Sequence, residues 1–176
     1  MLFRSSRKRR KSAEVRRHDI IHAAMEILQT EGVDKLTTRS LSKAVGIAQP
    51  TLFLHFGNKG QVLIALIDFV QEGLQEGLRG QDLQQYPPVE RLGRVIRFHL
   101  QFIQKKPGIP RLLFSEEIQS GSMEVRERMH ALVGFFLDYL TGLIREGQET
   151  GELRADLDPQ QCACLLIASV QGLAFR

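Results

Sequence analysis

The chain has 176 residues, 43% hydrophobic and 25% charged, with a net charge of +4, enough length for one or two domains with a proper core. It holds no run of about 18 apolar residues, so no membrane span is expected, and its basic start, MLFRSSRKRRKS, lacks the apolar stretch of a secretory signal. Cys162 and Cys164 make no disulfide framework and diverge if helical, so they read as buried or half-buried thiols in a reducing cytoplasm, with no metal site.

Charge is segregated along the chain. Residues 1–17 carry Arg4, Arg7, Lys8, Arg9, Arg10, Lys11, Arg16 and Arg17 against Glu14, a net +7, which leaves −3 for the rest. A positive end on a slightly acidic body suits a protein that meets DNA at that end. Residues 1–12 are polar and aperiodic and are expected to form a disordered basic arm. Arg7, Arg9 and Arg10 would hold phosphates and reach for the minor groove. A first helix is expected over 13–31, with Ser12 as N-cap and Ile20, Ala24, Ile27 and Leu28 on its apolar face. Gly32 should end it. His18 and His22 have a spacing that can hold a metal, but no third ligand accompanies them and none is expected to bind.

The stretch from Leu36 to Leu63 organises the rest. Thr37 and Thr38 are good N-caps for a second helix, and Leu41, Ala44 and Val45 share one apolar face. Gly46 should stop that helix in a left-handed conformation. Pro50 suits the first turn of a third helix, where its missing N–H costs nothing, and Leu52 and Phe56 should bury together. Two short helices about a tight turn make a helix-turn-helix, whose second helix enters the DNA major groove. A fourth helix should start at Asn58, with Asn58 and Gln61 as a capping box.

These residues also carry a family likeness. The string TTRSLSKAVGIAQPTLFLHFGNK resembles the DNA-binding head of the TetR family of bacterial repressors. Thr-Thr-Arg enters the first helix of the motif, Gln-Pro-Thr-Leu opens the second, and His and Asn-Lys follow. The likeness is strong over roughly residues 13–65 and elsewhere rests on length and helical pattern. It implies an all-α fold: a three-helix DNA-binding head over residues 13–60, and a helical ligand-binding and dimerisation body over 61–176. Arg39, Gln49, Pro50 and Thr51 are expected to face base edges, with Arg suited to guanine and Gln to adenine. Thr38, His55 and Lys59 should contact the backbone. Two positions depart from the family. Ala48 stands where a Ser often caps the third helix, and Phe53 stands on the DNA face where a Tyr often offers its hydroxyl.

The body continues as helices. Val62 to Val70 is apolar nearly all round, broken by Asp68, and leads through Leu74 and Leu78 to a linker over Gly80–Pro88. In the family this fourth helix transmits ligand binding to the head. A fifth helix is expected over 89–105, with Leu92, Val95, Ile96, His99, Phe102 and Ile103 on one face. Pro107-Gly108-Ile109-Pro110 should break the chain before a short helix over 111–118. A long helix over 123–147 carries Val125, Met129, Leu132, Val133, Phe136, Leu140, Leu143 and Ile144. Asp158-Pro159 should open the last helix, with Asp158 as cap. Its small residues invite another helix, and Leu165, Ser169, Gly172 and Leu173 are the expected homodimer face. The family's usual final helix is absent, so either the chain is truncated, which is the expectation, or its dimer interface is unusual. An effector pocket, implied by the likeness, would draw on Phe69, Phe98, Phe102, Phe114, Phe136 and Tyr139, with His99, Gln101 and His130 orienting a polar group.

No GxSxG, P-loop, strand-borne GxGxxG or HExxH occurs, so no enzyme, cofactor or metal is expected. Ser115-Glu116-Glu117 holds adjacent carboxylates that diverge on a helix. The expected protein is a bacterial, cytoplasmic, nucleoid-associated homodimer. It represses from a palindromic duplex operator and is released by a small hydrophobic or amphipathic ligand. Two readings compete: a DNA-binding architectural or cell-cycle factor of the same fold that answers to no ligand, and an unrelated helical enzyme or binding module.

Overall fold

Side-chain caps set where most of the helices begin. In the computed structural model, which describes residues 12–174, Ser12 Oγ accepts from Val15 N–H at 3.2 Å and opens α1, Ala13–Thr30. Thr37 and Ser40 form a reciprocal capping box at the start of α2, Thr38–Val45. Thr37 is therefore the cap, and Thr38 is the first helical residue. Gly46 ends α2 at φ 68°, a left-handed conformation that a side chain would strain. α3 is Gln49–His55, with Pro50 in its first turn and no side-chain cap from Ala48.

Asn58 Oδ1 caps α4, Lys59–Arg79, through Gln61 N–H at 3.0 Å. Only half of the expected capping box forms, because the Gln61 amide reaches Glu124 instead, at 3.2 Å. The linker is ordered by a 3-10 turn at Leu83–Gln85 that buries Leu83. α5 is Pro88–Lys105. The expected break at 107–110 is instead the first turn of α6, Gly108–Leu113, where Pro110 needs no N–H partner. The helix expected over 111–118 is interrupted at Phe114–Ser115, and α7 is Glu116–Gln119. α8 is Met123–Glu149, and α9 is Pro159–Ala174, with Asp158 Oδ1 accepting from Gln161 N–H at 2.8 Å.

Two apolar clusters hold these helices. One joins α1, α2, α3 and most of α4 to α6, α7 and the first turns of α8, through Ile20, Leu28, Leu52, Phe56, Leu66 and Leu112. The other joins the end of α4 to α5, the rest of α8 and α9, through Leu78, Val95, Leu140 and Ala163. Helices α4 and α8 belong to both, so head and body share core rather than meeting at a linker. Polar contacts stitch the same seam: Lys59 Nζ lies 3.5 Å from Glu117 Oε1, and Asp68 Oδ1 lies 3.0 Å from Arg128 Nε. Gly108 presses α6 on α1; a Cβ there would lie 2.8 Å from the Leu28 carbonyl oxygen.

Two expected faces differ. Ala44 is exposed and Ser42 takes its place in the core, at 4% exposure. Val133 is 42% exposed although it shares the periodicity of its buried neighbours on α8.

Candidate DNA-binding face and body cavity

Leu52 and Phe56 anchor α3 in the core, at 1% and 2% exposure, so its other side must face outward. That outer side carries Gln49 and Pro50, both exposed, with Phe53 at 46% and Leu54 at 83% exposure. Arg39 is exposed on α2 beside them; Thr38, Thr51 and His55 are partly covered. Arg17 ties α1 to the end of α3. Its guanidinium donates to the His55 carbonyl and stacks over the Phe56 ring at 4.2 Å. No carboxylate occurs from Lys35 to Ile67, a span that holds Lys35, Arg39, Lys43 and Lys59. The stretch itself is thus cationic and without acids, as a phosphate-binding surface requires, and Glu117 reaches only its edge, at Lys59. Arg7, Arg9 and Arg10 lie outside the described residues. Sequence reasoning passed over Arg17 and Leu54; the exposed Leu54 follows from its helical offset to Leu52, and the Arg17 contact spans 38 residues and leaves no local signal.

In the body a small hollow of about 40 Å³ lies between α4, α5, α6, α8 and α9. Val70, Leu74, Phe102, Leu132, Phe136 and Ile167 supply much of its apolar wall, and His99 and Gln171 are its polar side chains. His99 is 5% exposed and sets its ring edge-on to Phe136, with centroids 4.3 Å apart. Burial disfavours its charged form and pulls its pKa down to about 4, so the imidazole is neutral at pH 7. His99 Nδ1 and Gln171 Oε1 are both buried without a hydrogen-bond partner. A second groove of about 260 Å³ shares Leu113, Val133, Ile167 and Gln171 with the hollow and runs past Phe114, Arg126 and His130.

Two family models account for most of the chain. That of the bacterial regulatory proteins of the tetR family matches residues 20–66, and that of the tetracyclin repressor-like C-terminal domain matches residues 88–174. The chain belongs to the TetR family. Among curated relatives, the nucleoid occlusion factor SlmA of Vibrio atlanticus (strain LGP32) is 27% identical over 162 residues, covering 92% of this chain and 83% of that one. The same factor of Marinomonas sp. (strain MWYL1) is 27% identical over 157 residues, covering 89% and 80%. Solved structures share the fold. AibR, in complex with isovaleryl coenzyme A and operator DNA, superposes with a TM-score of 0.77 at 20% identity, over 92% of this chain and 86% of that one. The fatty acid degradation regulator FadR of Bacillus halodurans does so with a TM-score of 0.76 at 21% identity, over 94% and 84%.

The aromatic residues expected to build one pocket in this TetR-family chain are divided by the fold. Phe102 and Phe136 line the hollow. Phe114 is 59% exposed and lies on the outer groove, because the chain breaks out of α6 at that residue. Phe69 sits toward the head, edge-on to His22 at 5.1 Å with Lys106 above it. Phe98 packs over Gly77, and Tyr139 borders a surface hollow with Phe135. Gln101 is exposed and turned away from the hollow; His130 borders the outer groove. His18 and His22 touch through their Nε2 atoms at 3.1 Å, and the described residues hold no cluster of three or more metal-ligating groups. On α9, Leu165 and Leu173 are 67% and 56% exposed, and Ser169 and Gly172 are exposed beside them. Cys162 is half-buried, but Cys164 is exposed, so only one of the two thiols is covered as expected. Among the described residues no helix is long and apolar enough to cross a membrane.

Proposed function

We propose that the chain is a homodimeric transcriptional repressor that binds a palindromic operator and leaves it when a small molecule enters the body. The observation that carries this is a helix-turn-helix stretch without a carboxylate, whose outer side exposes Arg39, Gln49 and Pro50; in this reading Arg39, Gln49, Pro50 and Thr51 meet base edges, and Thr38, Phe53, His55 and Lys59 hold the backbone around them. One such head covers too little DNA for tight specific binding, so two heads about one helical turn or more apart are needed. The apolar face of α9, with Leu165, Ser169, Gly172 and Leu173 uncovered, supports a two-fold contact there. We place the DNA-binding unit at residues 13–60 and the body at 61–176, with α4 as the transmitting element. AibR and the Bacillus subtilis FadR are structures with isovaleryl coenzyme A and stearoyl-CoA bound, which supports an effector site in a body of this fold.

A second reading is favoured by the curated relatives, which are nucleoid occlusion factors. In it the chain marks many chromosomal sites and answers to no small molecule. Selection of binding sites from random duplexes, followed by chromosome-wide mapping, separates the two. A single near-palindrome at a few promoters, bound by two chains per duplex, supports the repressor. Sites scattered through the chromosome away from promoters would support the occlusion factor. Recovery of no preferred sequence would remove both.

A further inference from the structure

His99 on α5 and Gln171 on α9 come from distant parts of the chain, yet both line the same apolar hollow and each holds a buried polar atom without a partner. Orphaned polar atoms cost folding stability, so two of them lining one hollow mark a place where a guest completes the hydrogen bonding. The hollow alone, about 40 Å³, has room for water-sized guests. The groove of about 260 Å³ beside it is divided from it by Leu113, Val133, Ile167 and Gln171. Rotation of the flexible Leu113 and Gln171 side chains would join the two, and together they approach the lower end of the range of about 300–1,000 Å³ seen for small-molecule sites.

The chemistry of the inner end selects the guest. No Lys, Arg, Asp or Glu lines it. A carboxylate placed there would have no countercharge. Gln171 Oε1 can only accept, and a neutral imidazole can donate from Nδ1. A hydroxyl satisfies both at once, donating to Gln171 Oε1 and accepting from His99 Nδ1–H. With the Gln171 amide in this orientation, a ketone or ester carbonyl would leave Oε1 unsatisfied.

We propose that His99 and Gln171 bind the hydroxyl head of a neutral, otherwise apolar molecule, whose chain runs past Leu113 and Val133 into the outer groove. This rests on the reading that the body holds an effector. The opposed orientation places an anionic head at the rim, on Arg126, and the chain inward; it leaves the buried pair unsatisfied.

The full-length protein, 15N-labelled at histidine, should be titrated with 1-octanol and with octanoate at pH 7. 1-Octanol should raise the Tm and move the His99 ring 15N resonances, and octanoate should do neither. Gln171→Leu should keep the fold, since it removes an orphaned acceptor, and weaken 1-octanol binding about tenfold, the worth of one such hydrogen bond. His99→Phe, which keeps an aromatic ring against Phe136, should do the same and serves if the first variant fails to fold. No binding of 1-octanol, equal binding of octanoate, or undiminished binding by both variants would overturn the assignment. Release of operator duplex is read separately. If 1-octanol binds through His99 and Gln171 yet the DNA complex persists, the site stands and the effector reading falls.

Discussion

His99 shows how one side chain couples burial to pH. The unfolded residue titrates near its ordinary value of about 6.5 and the folded one at about 4. Between those values the unfolded chain holds a proton that the folded chain refuses. His99 therefore causes no loss above about pH 6.5, and destabilises progressively as pH falls toward 4, by about 3 kcal/mol in all. Urea unfolding of wild type and His99→Gln at pH 7 and pH 4.5 should show the smaller acid loss in the variant; equal losses would remove His99 as the cause. Lys59 and Glu117 pose a different residue-scale question. Their 3.5 Å pair holds the cation that the proposed DNA complex assigns to a phosphate. Glu117→Gln should tighten DNA binding slightly and steepen the salt dependence by about 0.9 in log–log slope, one phosphate's worth. An unchanged slope would mean that Lys59 stays away from DNA. Gln49→Ala should cost about 1–3 kcal/mol on the best site and relax preference at one base pair, since an exposed amide at the start of α3 can pair with adenine. Uniform weakening on all half-site variants would make Gln49 a backbone contact.

At the scale of elements, the contact of α6 with α1 is the one a local pattern hides. Gly108 sits where a Cβ would press on Leu28, at 2.8 Å from its carbonyl oxygen and its Cγ. Because the obstacle is backbone, it cannot rotate away. Gly108→Ala should destabilise by about 1–3 kcal/mol, a fall of several degrees in Tm measured by calorimetry. A neutral result would show that α6 rides on α1 with slack. The same contact lets α6, which borders the hollow through Ile109 and Leu113, bear directly on the head. In the proposed repressor, α4 would then not be the sole route between body and DNA face.

For the whole molecule, the deciding quantity is the number of heads held together. Gly172 is exposed, and a Cβ there would meet nothing within 4 Å, so Gly172→Arg leaves the single chain undisturbed. In a two-fold dimer through α9 the new charge lies near the axis and opposes its copy. Sedimentation should show a folded monomer, and operator affinity should fall at least about tenfold as the second head is lost. A variant that remains dimeric would move the interface elsewhere. The proposed ligand would act on the same quantity: it could shift the pair of heads only by its preference for one spacing over the other.

Helix order and helix ends were legible in the sequence because capping and the 3.6-residue period are local. Ser12, Thr37, Asn58 and Asp158 each accept the backbone N–H three residues on, and Gly46 takes the left-handed turn. The DNA face was legible for the same reason: burying Leu52 and Phe56 forces Gln49 and Pro50 outward. The cavity was not. Phe69, Phe98, Phe102, Phe114, Phe136 and Tyr139 are equivalent by composition, yet only Phe102 and Phe136 line it. The polar side of that hollow, His99 against Gln171, joins residues 72 positions apart. Helix crossing angles and the close approach at Gly108 decide such pairings, and the spacing of residues along one helix carries no information about them. The sequence by itself determined the order of the long helices and which end carries the helix-turn-helix; only the packing of α5, α6, α8 and α9 on α4 decided where α6 and α7 begin and end and what the body can hold.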